Sequence, residues 1–181
     1  MKSKLREEFR QSRKAIAGKA EKSQCICQHL AQSKFFQKAQ SVLFFAGIAG
    51  EPNLLPLLKK NLGVKNCLLP FCNQSSFCAK RVNTLQDLQR GRFGILAPGS
   101  HCRDFAKGRI DLALTPAVCV DLQGNRIGMG GGFFDRFFVG FAGVKVAVVF
   151  AGQICQDVPC ESHDVGVDFL CTENGLVAVR S

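Results

Sequence analysis

The run Val144-Lys-Val-Ala-Val-Val-Phe150 constrains the fold more than any other stretch of the chain. It is almost continuously apolar and rich in β-branched residues, which leaves no polar face for solvent. Such a strand is buried on both faces, as happens where helices cover both sides of a mostly parallel sheet. Ser41–Ile48 (SVLFFAGI), Lys65–Phe71 (KNCLLPF), Ile110–Thr115 (IDLALT) and Ala117–Asp121 read as further apolar strands, and Phe77–Val82 as a short edge strand. Helical patterns alternate with them. Residues 2–17 read as an amphipathic helix with Leu5, Phe9 and Ile16 inward, ended near Gly18. Residues 20–33 read as a second, with Ile26 and Leu30 inward. Asn53 caps a third, which carries Leu54, Leu55, Leu57, Leu58 and Leu62 up to Gly63. Thr84-x-x-Asp87 opens a short helix, residues 85–109 are loop-rich, Gly124-Asn125 marks a turn, and Phe133–Val139 reads as a short helix. The expected class is α/β, a three-layer α/β/α arrangement with a mostly parallel sheet, preceded by an N-terminal helical pair. One domain spanning residues 1–181 suits this length.

Charge narrows the function. Lys and Arg number 24 against 14 Asp and Glu, a net charge of +10 that favours an anionic partner. Residues 1–22 hold eight cations and three Glu, and residues 80–109 hold seven cations and two Asp, so these two segments carry the whole excess. Lys2, Arg6, Arg10 and Arg13 recur at helical spacing and form one stripe. That stripe is either a solvated helix face or a basic wall beside an anion site. A nucleic-acid partner is not expected, because RNP-like aromatics are missing and a basic stripe alone is weak evidence.

The ten cysteines do not read as a secreted disulfide framework. MKSKLREEFRQSRK is charged throughout and lacks an apolar leader segment, no C-x-x-C occurs, and Cys25-x-Cys27 is too tight for a usual zinc knuckle. We read them as reduced core cysteines. Three dispersed histidines form no obvious metal site. The most apolar stretch, Phe133 to Ile154, is interrupted by Asp135, Arg136, Lys145 and glycines, so no membrane span is expected and the chain reads as cytoplasmic.

The most informative motif is Arg126-Ile127-Gly128-Met129-Gly130-Gly131-Gly132-Phe133-Phe134-Asp135-Arg136. Four glycines within five positions let the backbone adopt positive φ and turn successive N–H groups into one concavity suited to an anion. A mobile surface turn is the plainer reading. Neither G-x-x-x-x-G-K-[ST] nor G-x-G-x-x-G fits, since Phe133 stands where the third glycine belongs. Asp135 would hold a divalent cation bridging phosphates. A second polar cluster, Pro159 to Asp164, follows the Val144–Phe150 strand, on the sheet edge where α/β folds bind ligands. Asp164 would join Asp135 at one cation, or act as a turn residue. His163 reads as structural or solvated. Glu51, after the first strand, suits a polar substrate contact or a helix-start carboxylate.

These segments, in this order, resemble the 5-formyltetrahydrofolate cyclo-ligase family. Lys2-Ser-Lys-Leu-Arg6 with Arg10 and Arg13 resembles its basic opening helix, and Phe45-Ala46 through Glu51-Pro-Asn53 its first strand and acidic substrate residue. Asp111 to Asp121 resembles its central strand, Asn125 to Arg136 its signature loop, and Pro159 to Asp164 with Asp168 and Thr172-Glu173 its C-terminal block. The resemblance implies ATP- and Mg2+-dependent ring closure of 5-formyltetrahydrofolate to 5,10-methenyltetrahydrofolate, by a monomer whose partners are reduced folate and ATP. By position it implies that Lys2, Ser3, Lys4, Leu5 and Arg6, together with Arg126, Ile127, Gly128, Met129, Gly130, Gly131, Gly132, Phe133 and Phe134, line ATP. It further implies that Ala46, Glu51 and residues Met129, Gly130, Gly131, Gly132 and Phe133 touch folate. Asp135 and Asp164 hold Mg2+, and Lys2, Arg6 and Asp135 carry the catalysis.

The chain also departs from that family. Phe133-Phe134 replaces the usual Tyr-Tyr, which keeps the rings and removes two hydroxyls. A lost hydrogen bond to a charged group costs about 1.5–3 kcal/mol. Phe71 follows Pro70 where Arg is usual, Ala97 stands where Glu is common, and Met129 replaces Tyr, Phe or Arg. Tyr is absent from the whole chain while Phe numbers 16, so the change is compositional as much as local. A relative that binds folate or nucleotide without efficient turnover is the alternative reading.

Overall fold

A computed structural model describes residues 1–48, 50–72, 77–91 and 94–179. Helices α1 (Lys2–Ala15) and α2 (Lys19–Gln32) form the expected N-terminal pair, and a five-residue α3 (Lys34–Lys38) follows them. Sequence periodicity gives no sign of α3. It exists because Ser33 accepts the Phe36 N–H at 3.3 Å and Phe36 is buried.

Strands β1 (Ser41–Leu43), β2 (Asn66–Cys72), β7 (Leu112–Thr115), β10 (Val144–Val148) and β11 (Phe169–Thr172) run parallel. Helix α4 (Leu55–Asn61) connects β1 to β2, with Asn53 Oδ1 accepting the Leu55 N–H at 3.1 Å. Antiparallel strands extend the sheet at both ends: β3 (Phe77–Val82) and β6 (Asp104–Phe105) beyond β2, and β12 (Gly175–Ala178) beyond β11. The order is β12-β11-β10-β7-β1-β2-β3-β6. Strand β3 is therefore not at the edge, because the two-residue β6 covers it. A small separate ribbon joins β4 (Leu88–Arg90) to β5 (Leu96–Pro98).

Alternation along the strands places both halves of the core. Val42, Leu112, Leu114, Val146 and Val148 face α2 and α4 through Ile26, Leu30, Leu54, Leu57 and Leu58. Their neighbours Leu43, Leu68 and Ala113 face the other way, onto Phe137, Phe138 and Phe141 of α5 (Phe133–Phe138) and the turn after it. Strands apolar on both faces therefore lie between two helical layers.

Two strand expectations change. The SVLFFAGI run pairs as a strand only over Ser41–Leu43, because the chain then turns into a loop in which Glu51 Oε2 accepts the Ile48 N–H at 3.0 Å. The Ala117–Asp121 run leaves the main sheet after Pro116, which has no N–H for a ladder, and its β8 (Cys119–Val120) pairs with β9 (Arg126–Ile127). All ten cysteines are unpaired, but only Cys67, Cys102, Cys119 and Cys171 are buried, so the reading of core cysteines holds for those four. Among the described residues no helix is long and apolar enough to cross a membrane.

Candidate functional site

Helix α1 crosses the C-terminal edge of the parallel strands. Leu5 and Phe9 pack with Val118, Ile127 and Val158, and Ile16 reaches Gly152 just after β10. Ligands of open α/β sheets bind at this edge, where the strand order reverses. Here the reversal falls between β1 and β7.

The first turns of α1 bring one cation to the glycine loop and another to the Pro159–Asp164 segment. Arg6 donates Nε–H to the Gly128 carbonyl at 3.0 Å and lies beside Gly130. Lys2 Nζ lies 2.5 Å from Asp164 Oδ2 and 3.2 Å from Glu161 Oε1. Burial disfavours both ions of this pair. Hydrogen bonds outweigh burial, so the Asp164 carboxyl sits below its ordinary value and the Lys2 ammonium above its own.

Asp135 meets the same cluster from the other side. Arg126 donates to Asp135 Oδ1 at 2.8 Å, and the same oxygen accepts the Val165 N–H at 3.3 Å, one residue past Asp164. The carboxylates at 135 and 164 are thus neighbours, bound to one guanidinium and one ammonium. The Arg126 guanidinium stacks 5.3 Å from the Phe138 ring centroid and is almost fully buried. Desolvation lowers its pKa, against the attraction of Asp135 and Asp164. Arg126 Nε is buried without a hydrogen-bond partner, an orphaned donor inside the site.

Three of the four glycines are required by shape. Gly130 and Gly132 have φ of 103° and 61°, values that β-carbon-bearing residues avoid. A Cβ on Gly131 would fall 2.6 Å from the Phe133 ring. Phe133 lines a cavity of about 280 Å3 together with Phe77, Phe105, Lys107, Arg136 and Phe137. Phe134 instead packs edge-on against Phe77, with centroids 5.1 Å apart.

The remaining expected residues lie on α1, beside the glycine loop and after β1. Ser3, Lys4 and Met129 are exposed, whereas Leu5 and Ile127 pack into the scaffold, which leaves only their backbones for a ligand. Glu51 bonds to Arg13 at 3.2 Å, both side chains nearly buried, about 10 Å further along the helix than Arg6. Burial raises the Glu51 pKa, against the Ile48 N–H and Arg13. Ala46 is half-buried on the same loop. The four-cation stripe therefore divides: Arg6 reaches the glycine loop, Lys2 reaches Asp164, Arg10 faces solvent, and Arg13 does not belong to an anion wall because Glu51 neutralises it. In the second basic segment Lys80 pairs with Asp104 at 3.1 Å and Lys107 lines the cavity, while Arg92 lies outside the described residues. His163 is exposed, 3.6 Å from Glu161.

Residues 1–173 match the 5-formyltetrahydrofolate cyclo-ligase family. The chain belongs to that family. The 5-formyltetrahydrofolate cyclo-ligase of Escherichia coli is 30% identical over 142 residues, covering 74% of this chain and 78% of that protein. The cyclo-ligase of Mycolicibacterium smegmatis matches over a shorter stretch, 38% identical across 76 residues, 40% of this chain and 39% of that protein. Among solved structures, the 5,10-methenyltetrahydrofolate synthetase of Aquifex aeolicus superposes with a TM-score of 0.89 at 29% identity, over 99% of this chain and 93% of that one. Membership of the family makes this chain an enzyme of the ligase class, working in folate one-carbon metabolism.

Two residues that organise the candidate site were not among the expected site residues. Asp121 is fully buried and accepts from the N–H groups of Gln123, Asn125 and Val158 and from Asn125 Nδ2. It fixes the turn before the glycine loop and ties that turn to the Pro159–Asp164 segment. The Asp-x-x-Gly-Asn spacing was the available signal. Gln153, also fully buried, donates to the carbonyls of Ala117 and Val118 and holds β8 against the chain after β10.

Proposed function

We propose that the protein converts 5-formyltetrahydrofolate and ATP to 5,10-methenyltetrahydrofolate, ADP and phosphate, as a cytoplasmic, single-domain monomer. The observation that carries this reading is the gathering of Lys2, Arg6, Arg126, Asp135 and Asp164, linked through Arg6 to the Gly128 carbonyl of the glycine loop. The γ-phosphoryl group passes to the formyl oxygen and ADP departs. N10 then attacks the activated carbon, the carbon–oxygen bond breaks with phosphate as leaving group, and the N10 proton goes to solvent. Such chemistry needs positioning and charge neutralisation more than a covalent nucleophile.

Hard carboxylate oxygens from Asp135 and Asp164 suit Mg2+, which takes one or two carboxylates and keeps waters. Bound there, Mg2+ would neutralise the negative charge that develops during phosphoryl transfer. Lys2 and Arg6 orient the triphosphate, and the orphaned Arg126 Nε is a donor for an oxygen entering the site. Backbone N–H groups at Gly130–Gly132 face the phosphates. The cavity beside Phe133 takes the folate ring, with Lys107 and Arg136 drawing its anionic tail. Ala46 and Glu51 close the substrate side. Calorimetric titration with Mg-ATP and 5-formyltetrahydrofolate, followed by growth of methenyl absorbance, tests this reading. Folded protein that binds neither ligand contradicts it.

A further inference from the structure

Away from the glycine loop, three side chains of different chemistry converge where the turn at Leu85–Asp87 meets His101 and Cys102. Asp87 closes the 3-10 turn Leu85–Asp87, its Oδ2 accepting the N–H groups of Asn83 at 2.8 Å and Thr84 at 3.0 Å. That leaves Oδ1 to meet His101 Nε2 at 3.3 Å. Cys102 Sγ lies 3.7 Å from the same nitrogen. The carboxylate oxygen, the imidazole nitrogen and the sulfur all lie within 4.8 Å of one another. All three residues border a cavity of about 290 Å3, together with Arg81, Asn83 and Arg103. Gly99 makes the arrangement possible, since a Cβ there would fall 2.5 Å from the His101 ring.

We propose that Asp87, His101 and Cys102 form a binding site for a divalent transition ion of zinc's kind, through one carboxylate oxygen, one imidazole nitrogen and one thiolate. Thiolate and imidazole select such an ion over Mg2+ or Ca2+, which prefer oxygen. The site therefore differs in kind from the all-oxygen pair Asp135 and Asp164. Three protein ligands leave a fourth position for a water or an anion from the cavity. The two anionic ligands balance the dication, and Arg81 and Arg103 favour an anion in that fourth position. Binding releases the Cys102 proton to buffer. The Asn83 and Thr84 N–H groups play the orienting part that outer hydrogen bonds play in metal sites.

The test uses the full chain, freed of metal with a chelator and titrated with Zn2+ against a chromogenic competitor, then with Co2+. The expected result is one saturating equivalent and a sulfur-to-cobalt charge-transfer band. Both are lost in Cys102→Ser and in His101→Ala, and both are kept in Cys160→Ser. His101 is exposed, so its replacement leaves folding intact and keeps the test decisive. Gly99→Ala, which displaces the imidazole, weakens Zn2+ binding by about 10–100-fold. Absence of saturable binding, or binding unchanged in His101→Ala and Cys102→Ser, overturns the proposal.

Discussion

Lys2 Nζ and Asp164 Oδ2 lie 2.5 Å apart, which joins the first turn of α1 to a loop 162 residues further along the chain. The same contact places an ammonium beside a carboxylate that the proposed reaction uses for its metal. Opening of α1 would separate Lys2 from Asp164 and Arg6 from Gly128 together.

Lys2→Met therefore lowers turnover by about 100-fold or more, the scale of removing one aligned electrostatic partner. Its stability effect has a defined pH shape. The depressed Asp164 carboxyl contributes above its ordinary value of 3.8 and loses that contribution as pH falls through its lowered value. The raised Lys2 ammonium contributes below 10.5 and loses its share as pH rises through its raised value. Thermal melts of wild type and Lys2→Met differ by a constant amount across the neutral range and converge at strongly acid pH.

Arg13→Ala strands Glu51 in a nearly buried position without its counter-charge. Breaking such a pair costs about 3–5 kcal/mol. Burial already raises the folded pKa of Glu51, and removal of Arg13 raises it further. The penalty is therefore largest at neutral pH and shrinks as pH falls towards the unfolded value of 4.5. Urea denaturation at neutral and acid pH measures the difference.

Gly132→Ala forces a β-carbon into a φ of 61° and towards the Arg136 guanidinium. The backbone term is about 1–2 kcal/mol, a drop of roughly 2–4 °C in Tm for each kcal/mol at this size. Mg-ATP affinity falls by more than that loss of stability explains, and calorimetry together with melting separates the two.

Phe133→Tyr puts back a hydroxyl at the rim of the cavity beside the loop. A recovered hydrogen bond to a charged group is worth about 1.5–3 kcal/mol, so kcat/KM rises by roughly tenfold or more. An unchanged value assigns the loss of tyrosine to composition alone.

The architecture was legible where burial on both faces leaves an uninterrupted apolar run. VKVAVVF became β10, with Val146 and Val148 facing the layer of α2 and α4, and Ala147 and Val149 turned the other way onto Ala117, Val120, Val167 and Leu170. The end of β1 was not legible, since SVLFFAGI stays apolar past the point where Glu51 bends the chain away. The two-residue β6 and five-residue α3 are too short to show a period. The glycine loop announced itself because only glycine tolerates the conformations at 130 and 132. Spacing put Arg13 on the same stripe as Lys2 and Arg6. It could not reveal that Glu51 would meet Arg13. Asp121 and the Asp87, His101 and Cys102 group stayed hidden for a related reason. Their partners come from turns, and turn geometry is not written in hydrophobic periodicity.

The most direct measurement of the central claim follows methenyltetrahydrofolate absorbance in 5-formyltetrahydrofolate, Mg2+ and purified protein, with and without ATP. The account predicts product only with ATP, one ADP for each methenyl group formed, and none from the Lys2→Met, Asp135→Asn double variant. Product at the same rate without ATP, or none from folded wild-type protein that binds both substrates, would contradict it.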